Sequence, residues 1–140
     1  NIAKDAEDLL PELLALHKKG DRPKVMFYEG MAGLEHVYED TFSSKGDIYS
    51  TSTYEEMHGA LPKYFSTYYA RRAKKGIFIR TFVADTPLAK IRKANDTKEF
   101  RETFLVPKDK FPVPTDIEIY NNKVMFASWK EKLGIHGFLK

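Results

Sequence analysis

Residues Lys24 to Gly33, K-V-M-F-Y-E-G-M-A-G, run from a short apolar stretch through a glutamate into two glycines three residues apart. The pattern predicts a buried strand that feeds the N-terminus of a helix. At such a junction the first N–H groups of the helix lack intrahelical partners and face the crevice beyond the strand's end, where open α/β sheets hold ligands. Tyr28, Glu29 and Gly30 are therefore candidate ligand-binding residues. The charge of Glu29 opposes an anion, so a polar or cationic group suits the junction better than a phosphate.

Downstream of the junction, apolar residues at 31, 34, 37, 38 and 42 continue the helix, and residues 46–51 read as a short strand. Leu61 to Lys75 repeats the helical period through Leu61, Phe65, Tyr68, Tyr69 and Ala73. Pro62 opens that helix and Gly76 follows it, as start and stop signals do. Residues 77–83 read as a strand, Thr86 as a cap, Pro87 to about Asn95 as a short helix, and residues 99–106 as another strand. This alternation predicts an α/β fold with a mostly parallel central sheet flanked by helices. Pro107, Pro112 and Pro114 mark a surface loop. Asn121-Asn122 then predicts a tight C-terminal hairpin pairing Ile119 with Val124 and Ile117 with Phe126, with that apolar face buried. Residues 133–139 are a candidate last strand.

Upstream, Ile2, Ala6, Leu9, Leu10, Leu13 and Leu14 form one apolar helical stripe, interrupted by Pro11, which either kinks the helix or opens a second one. Gly20 is the expected stop. The organisation read from this is an amphipathic linker helix over residues 1–20 and one domain over 21–140. A chain that opens at Asn1 in mid-pattern is expected to be a piece of a longer protein.

The net charge of +3 falls short of the basic excess of a dedicated nucleic-acid reader. Cysteine is absent, which removes disulfides, thiolate catalysis and cysteine-ligated zinc together. No apolar run approaches the length of a membrane span and no leader pattern is visible, so a cytoplasmic protein with no membrane partner is expected. His17, His36, His58 and His136 show no metal-binding spacing, no serine sits in a nucleophile elbow, and the glycines lack a nucleotide fingerprint. The reading therefore expects no metal, no cofactor and no catalytic set. Arg71, Arg72, Lys74 and Lys75 occupy a helix C-terminus, where cations complement the helix dipole without a ligand. Tyr64, Phe65, Tyr68 and Tyr69 suit core packing or a dimer face. Arg80 and Glu118, in predicted strands, join Tyr28, Glu29 and Gly30 as candidate ligand-binding residues.

The lead-in helix, R-P-K-V-M-F-Y-E-G-M-A-G from Arg22, D-I-Y-S-T-S from Asp47, A-R-R-A-K-K-G-I-F-I-R from Ala70 and I-E-I-Y-N-N-K-V-M-F-A-S from Ile117 together resemble the C-terminal regulatory domain of TrmB-like transcriptional regulators. The resemblance implies a phospholipase D-like fold, a dimer, an upstream winged helix-turn-helix outside this chain that carries DNA binding, and a small-molecule effector. Active phospholipase D-like enzymes use H-x-K-x-x-x-x-D followed by glycine-serine. Matching Asn121 to the aspartate puts Asp116 at the lysine and Pro114 at the histidine, and only Ser128 survives, after Ala127. The expectation is thus a non-catalytic effector-sensing and dimerisation domain of a prokaryotic regulator. Two other readings stay open: a small phosphodiesterase or nuclease-like hydrolase with relocated catalytic residues such as His58 or His136, and a protein-binding scaffold module.

Overall fold

The computed structural model describes residues 2–15, 24–110 and 115–138. The expected stop at Gly20, the boundary between residues 20 and 21, Pro112, Pro114 and Leu139 lie outside the described residues. Helix α1 (Ile2–Ala15) carries Pro11 within one continuous helix instead of starting a second there. Strand β1 (Lys24–Glu29) leads directly into α2 (Gly30–Asp40), as the opening stretch predicts. There follow β2 (Ile48–Ser52), α3 (Tyr54–Ala60), α4 (Pro62–Lys74), β3 (Ile79–Ala84), α5 (Pro87–Ala94) and β4 (Arg101–Val106). After these come β5 (Asp116–Tyr120), β6 (Lys123–Ser128) and β7 (Leu133–Phe138). The expected punctuation is in place: Thr86 accepts a hydrogen bond from Ala89 N at 3.1 Å, and Gly76 takes a φ of 73° just past α4. Helix α3, which the sequence reading leaves unassigned, occupies the segment before Pro62.

Among the described residues, seven strands form one sheet in the order β1-β7-β6-β5-β2-β3-β4. In it only β2–β3 and β3–β4 are parallel, and the other four neighbouring pairs are antiparallel. The expected mostly parallel sheet is therefore corrected to a mixed sheet that is mostly antiparallel. Strand and helix alternation builds the parallel trio, because each parallel neighbour needs a crossover. Beyond β4 the connections β5–β6 and β6–β7 are too short for a crossover and force antiparallel pairing. The expected burial of β1 is corrected as well. It is an edge strand against β7, with Met26 45% and Phe27 47% exposed.

The hairpin pairs Ile117 with Phe126 and Ile119 with Val124, as predicted, and Asn121 takes a φ of 53° in its turn. Its buried face is the opposite of the expected one. Asp116, Glu118 and Tyr120 are 0%, 3% and 2% exposed, whereas Ile119 is 49% exposed. Helices α2, α3, α4 and α5 pack on the face that carries Asp116 and Glu118. An aromatic cluster of Tyr38, Phe65, Tyr68 and Trp129 fills the space between helices and sheet, with Tyr38 edge-on to Phe65 and stacked on Trp129. Helix α2 approaches the sheet through glycine: a Cβ on Gly33 would lie 2.6 Å from the Tyr28 carbonyl carbon.

Candidate functional site

The parallel trio ends at a crevice of about 780 Å³, at the point where β2 has a parallel neighbour on one side and an antiparallel one on the other. This is where α/β sheets place ligands. Ser52 and Thr53 at the end of β2, Val83 to Asp85 at the end of β3, and the first turns of α3 and α5 form its walls. Glu55 on α3 accepts a hydrogen bond from the Thr86 hydroxyl at 3.2 Å and so ties the two helix starts together. Among the described residues, Glu55, Glu56 and Asp85 line the crevice with the cation Lys108, and Asp85 also pairs with Lys90 at 3.5 Å, which leaves the carboxylates in excess. The excess of carboxylates repels phosphorylated compounds and accepts neutral hydroxyl-bearing or cationic ones. Leu88 and Val83 add apolar wall.

Ser52 is shared between this crevice and a small chamber of about 10 Å³, a volume on the scale of one water molecule. Ser52 Oγ lies 2.7 Å from Thr81 Oγ1, which also lines the chamber. Three residues around the chamber carry buried polar atoms with no partner among the described residues: Arg72 Nε, Arg101 Nη1 and Glu118 Oε2. Arg72, 1% exposed, donates to the carbonyls of Ile77, Phe100 and Glu99 at 2.7, 3.0 and 2.8 Å. It thereby closes the end of α4 onto the turn before β4, a structural role. Arg71 likewise pairs with Glu39 at 2.8 Å.

Asp116 is the hub beneath β2. Its Oδ1 accepts from Thr53 N at 2.7 Å and Thr53 Oγ1 at 2.6 Å, and its Oδ2 from Tyr38 OH at 2.5 Å and Trp129 Nε1 at 3.2 Å. Burial outweighs these donors and pushes its carboxyl up to about 6. Glu118 lacks such donors among the described residues. Burial first, and the neighbouring Asp116 second, push it up to about 8. It is therefore mainly protonated at neutral pH, in the middle of the sheet's covered face.

The candidate residues from sequence do not converge. Tyr28 lies at the β1 edge with its ring 4.5 Å from His36 and 5.2 Å from His136. Glu29 is exposed at the end of β1, and Gly30, at a φ of 75°, donates its N–H to the Lys132 carbonyl at 2.8 Å. Arg80 projects from the opposite face of β3, where it pairs with Asp47 and with Glu102. Only Glu118 reaches the region under the crevice. The crevice residues Glu55 and Glu56 escape the sequence reading because α3 is unassigned in it. The one available signal is Thr86-Pro87, a helix start directly after a strand end.

His58 lies 2.8 Å from the Tyr69 hydroxyl and stacks on Phe65, within the aromatic layer. His136 is 2% exposed, and burial lowers its pKa to about 4 despite Asp40 at 3.9 Å. Among the described residues, no three His, Cys, Asp or Glu side chains are grouped as metal ligands would be. Among them also, no helix is long and apolar enough to cross a membrane.

No protein-family model matches this chain, and no curated protein matches it. Among solved structures it is similar to TrmBL2, an archaeal chromatin protein whose structure shows a novel mode of DNA binding. The TM-score is 0.56 at 14% sequence identity, over 96% of this chain. At that identity the likeness shows a shared fold. The chain spans 52% of the length of TrmBL2, about half.

Proposed function

We propose that this chain is a non-catalytic sensing and pairing domain of a TrmB-like transcription regulator, with its effector in the crevice at the ends of β2 and β3. The observation that carries the reading is the fold shared with TrmBL2 over 96% of the chain. DNA binding in this reading belongs to a winged helix-turn-helix elsewhere in the full-length protein. The carboxylates of the crevice select a neutral polar or cationic effector over a phosphorylated one. The deep burial of His136 and the packing of half-buried His58 against aromatic rings give a hydrolase little to work with.

A thermal-shift screen of the chain tests the sensing half, with neutral polyols, amino acids and polyamines set against sugar phosphates and nucleotides. A compound at about 100 times its dissociation constant adds about 2.7 kcal/mol of stability. The expected hit is neutral or cationic and is weakened by Glu56→Ala. Hits confined to phosphorylated compounds, or hits untouched by Glu56→Ala but abolished by Glu29→Ala, would move the site away from this crevice.

A further inference from the structure

The sheet is covered by α2 to α5 on its polar face and is strongly apolar on the other. Register places Ile117, Thr51, Phe82 and Phe104 in one row across β5, β2, β3 and β4, with Ile119 and Tyr49 in the next row. Tyr49, Phe82, Phe104 and Ile119 are 53%, 49%, 40% and 49% exposed. Phe82 and Phe104 stack at 5.3 Å, and Arg80 lies 5.8 Å from the Tyr49 ring centre. Alternation along a strand puts such residues inside a protein, and here it leaves them outside.

We infer that this face packs against the same face of a second copy of this chain, sheet on sheet, around a two-fold axis near Thr51. Three features favour a second copy over another occupant. The first is area. Half-exposed side chains of this size offer roughly 350–400 Å² of apolar surface, close to half of the about 800 Å² per partner that a stable complex buries. Thr51, Ile117, Phe126 and the charged rim supply the remainder. The second is shape. One side of the patch is aliphatic, Ile117 and Ile119, and the other aromatic, Phe82 and Phe104, so a two-fold axis lays each half on the other. The third is charge. Arg80 stands between Asp47 and Glu102, one cation against two carboxylates. That rim carries both signs with an acidic excess and so repels anionic lipid and nucleic acid.

The inference rests on the pairing half of the proposed function and is independent of the effector half. Sedimentation of the chain over a range of concentrations is the test, with Phe82→Ser, Tyr49→Ser and Leu9→Glu compared and folding of each verified by circular dichroism. Leu9 is included because it is 45% exposed on α1, the other apolar candidate. The expected result is a dimer that Phe82→Ser and Tyr49→Ser each weaken at least tenfold and Leu9→Glu leaves unchanged. A cysteine-free chain also permits a placed probe. A short bismaleimide should link two Phe82→Cys copies and not two Glu56→Cys copies. A dimer lost only in Leu9→Glu would overturn the sheet-face inference while keeping the pairing reading. A monomer at every concentration would overturn both, and neither result bears on ligand binding in the crevice.

Discussion

Replacing Glu118 by glutamine should stabilise the protein, and should do so far more at neutral than at acid pH. Glu118 is held at about 8 in the folded chain, against an ordinary value of 4.5. A carboxyl raised in this way binds a proton in the folded state that the unfolded state has released. Between the two values folding takes up that proton, so stability falls as pH rises through the window and is regained toward its acid end. At about pH 7.5 the difference amounts to about 4 kcal/mol, and at about pH 5 to about 1 kcal/mol, because each tenfold change in proton affinity is worth about 1.36 kcal/mol. Glutamine keeps the shape of the protonated acid and has no proton to take up. The stabilisation by Glu118→Gln should therefore grow by about 3 kcal/mol between these two conditions.

Urea unfolding followed by the fluorescence of Trp129, the single tryptophan, measures this at both pH values. The difference between variant and parent is the decisive quantity, because other groups tilt the profile of each. Asp116 is raised by burial and acts in the same direction as Glu118. His136 is lowered by burial to about 4, so its contribution is lost as pH falls through the range below 6.5, the opposite tilt. His136 is common to parent and variant and cancels, and the interaction of Asp116 with Glu118 is already part of the raised value of Glu118. Equal effects of the substitution at the two pH values, or a variant less stable at about pH 7.5, would refute the placement of a neutral acid in the sheet.

Other substitutions read other parts of the structure. Asp116→Ala strips four donors of their acceptor and should cost about 3 kcal/mol or more in urea unfolding; a loss below about 1 kcal/mol would deny it the hub role. Gly33→Ala should destabilise by about 1–3 kcal/mol, because the added carbon meets the Tyr28 backbone, whereas Gly59→Ala, with nothing within 4 Å and a helical setting, should be neutral or stabilising by up to about 1 kcal/mol. Thr86→Ala should cost about 1 kcal/mol through loss of the α5 cap, read as a lowered thermal midpoint.

Much of the local structure is legible in the sequence because it depends on neighbours along the chain. Pro62 and Gly76 bracket α4, Thr86-Pro87 starts α5, and the asparagine pair sets the hairpin register residue for residue. Strand direction is not legible. Whether β1 joins the parallel trio or the far edge depends on its pairing with β7, about a hundred residues away, and nothing in K-V-M-F-Y-E encodes that partner. The burial of the hairpin is misread for a different physical reason. Period-two alternation identifies two faces but not which one the helices cover, and the apolar face of Ile117 and Ile119 is the natural choice. The structure covers the other face because the helices bring complementary polar groups with them. Tyr38 donates to Asp116, and Tyr120 to Asp40, so the polar residues of the sheet find their partners on that side.

That inversion also explains why the candidate residues scatter. Arg80 sits on the uncovered face because it belongs with Tyr49 and Phe78, over whose rings it lies at 5.8 and 4.8 Å. Glu118, two positions from Asp116, must follow it inside, and a carboxyl there is tolerable only with its proton. Along β2 the same alternation separates two surfaces by single residues. Ser50 and Ser52 point toward the covered side, where Ser52 lines the chamber and crevice, while Tyr49 and Thr51 point toward the open face. The end of the strand is fixed by Thr53, whose N–H and hydroxyl both donate to Asp116. A displacement of β2 in response to either surface would have to strain that pair of hydrogen bonds to a buried carboxylate. The hub therefore sets the stiffness of β2, which with β3 is common to the crevice and the apolar face.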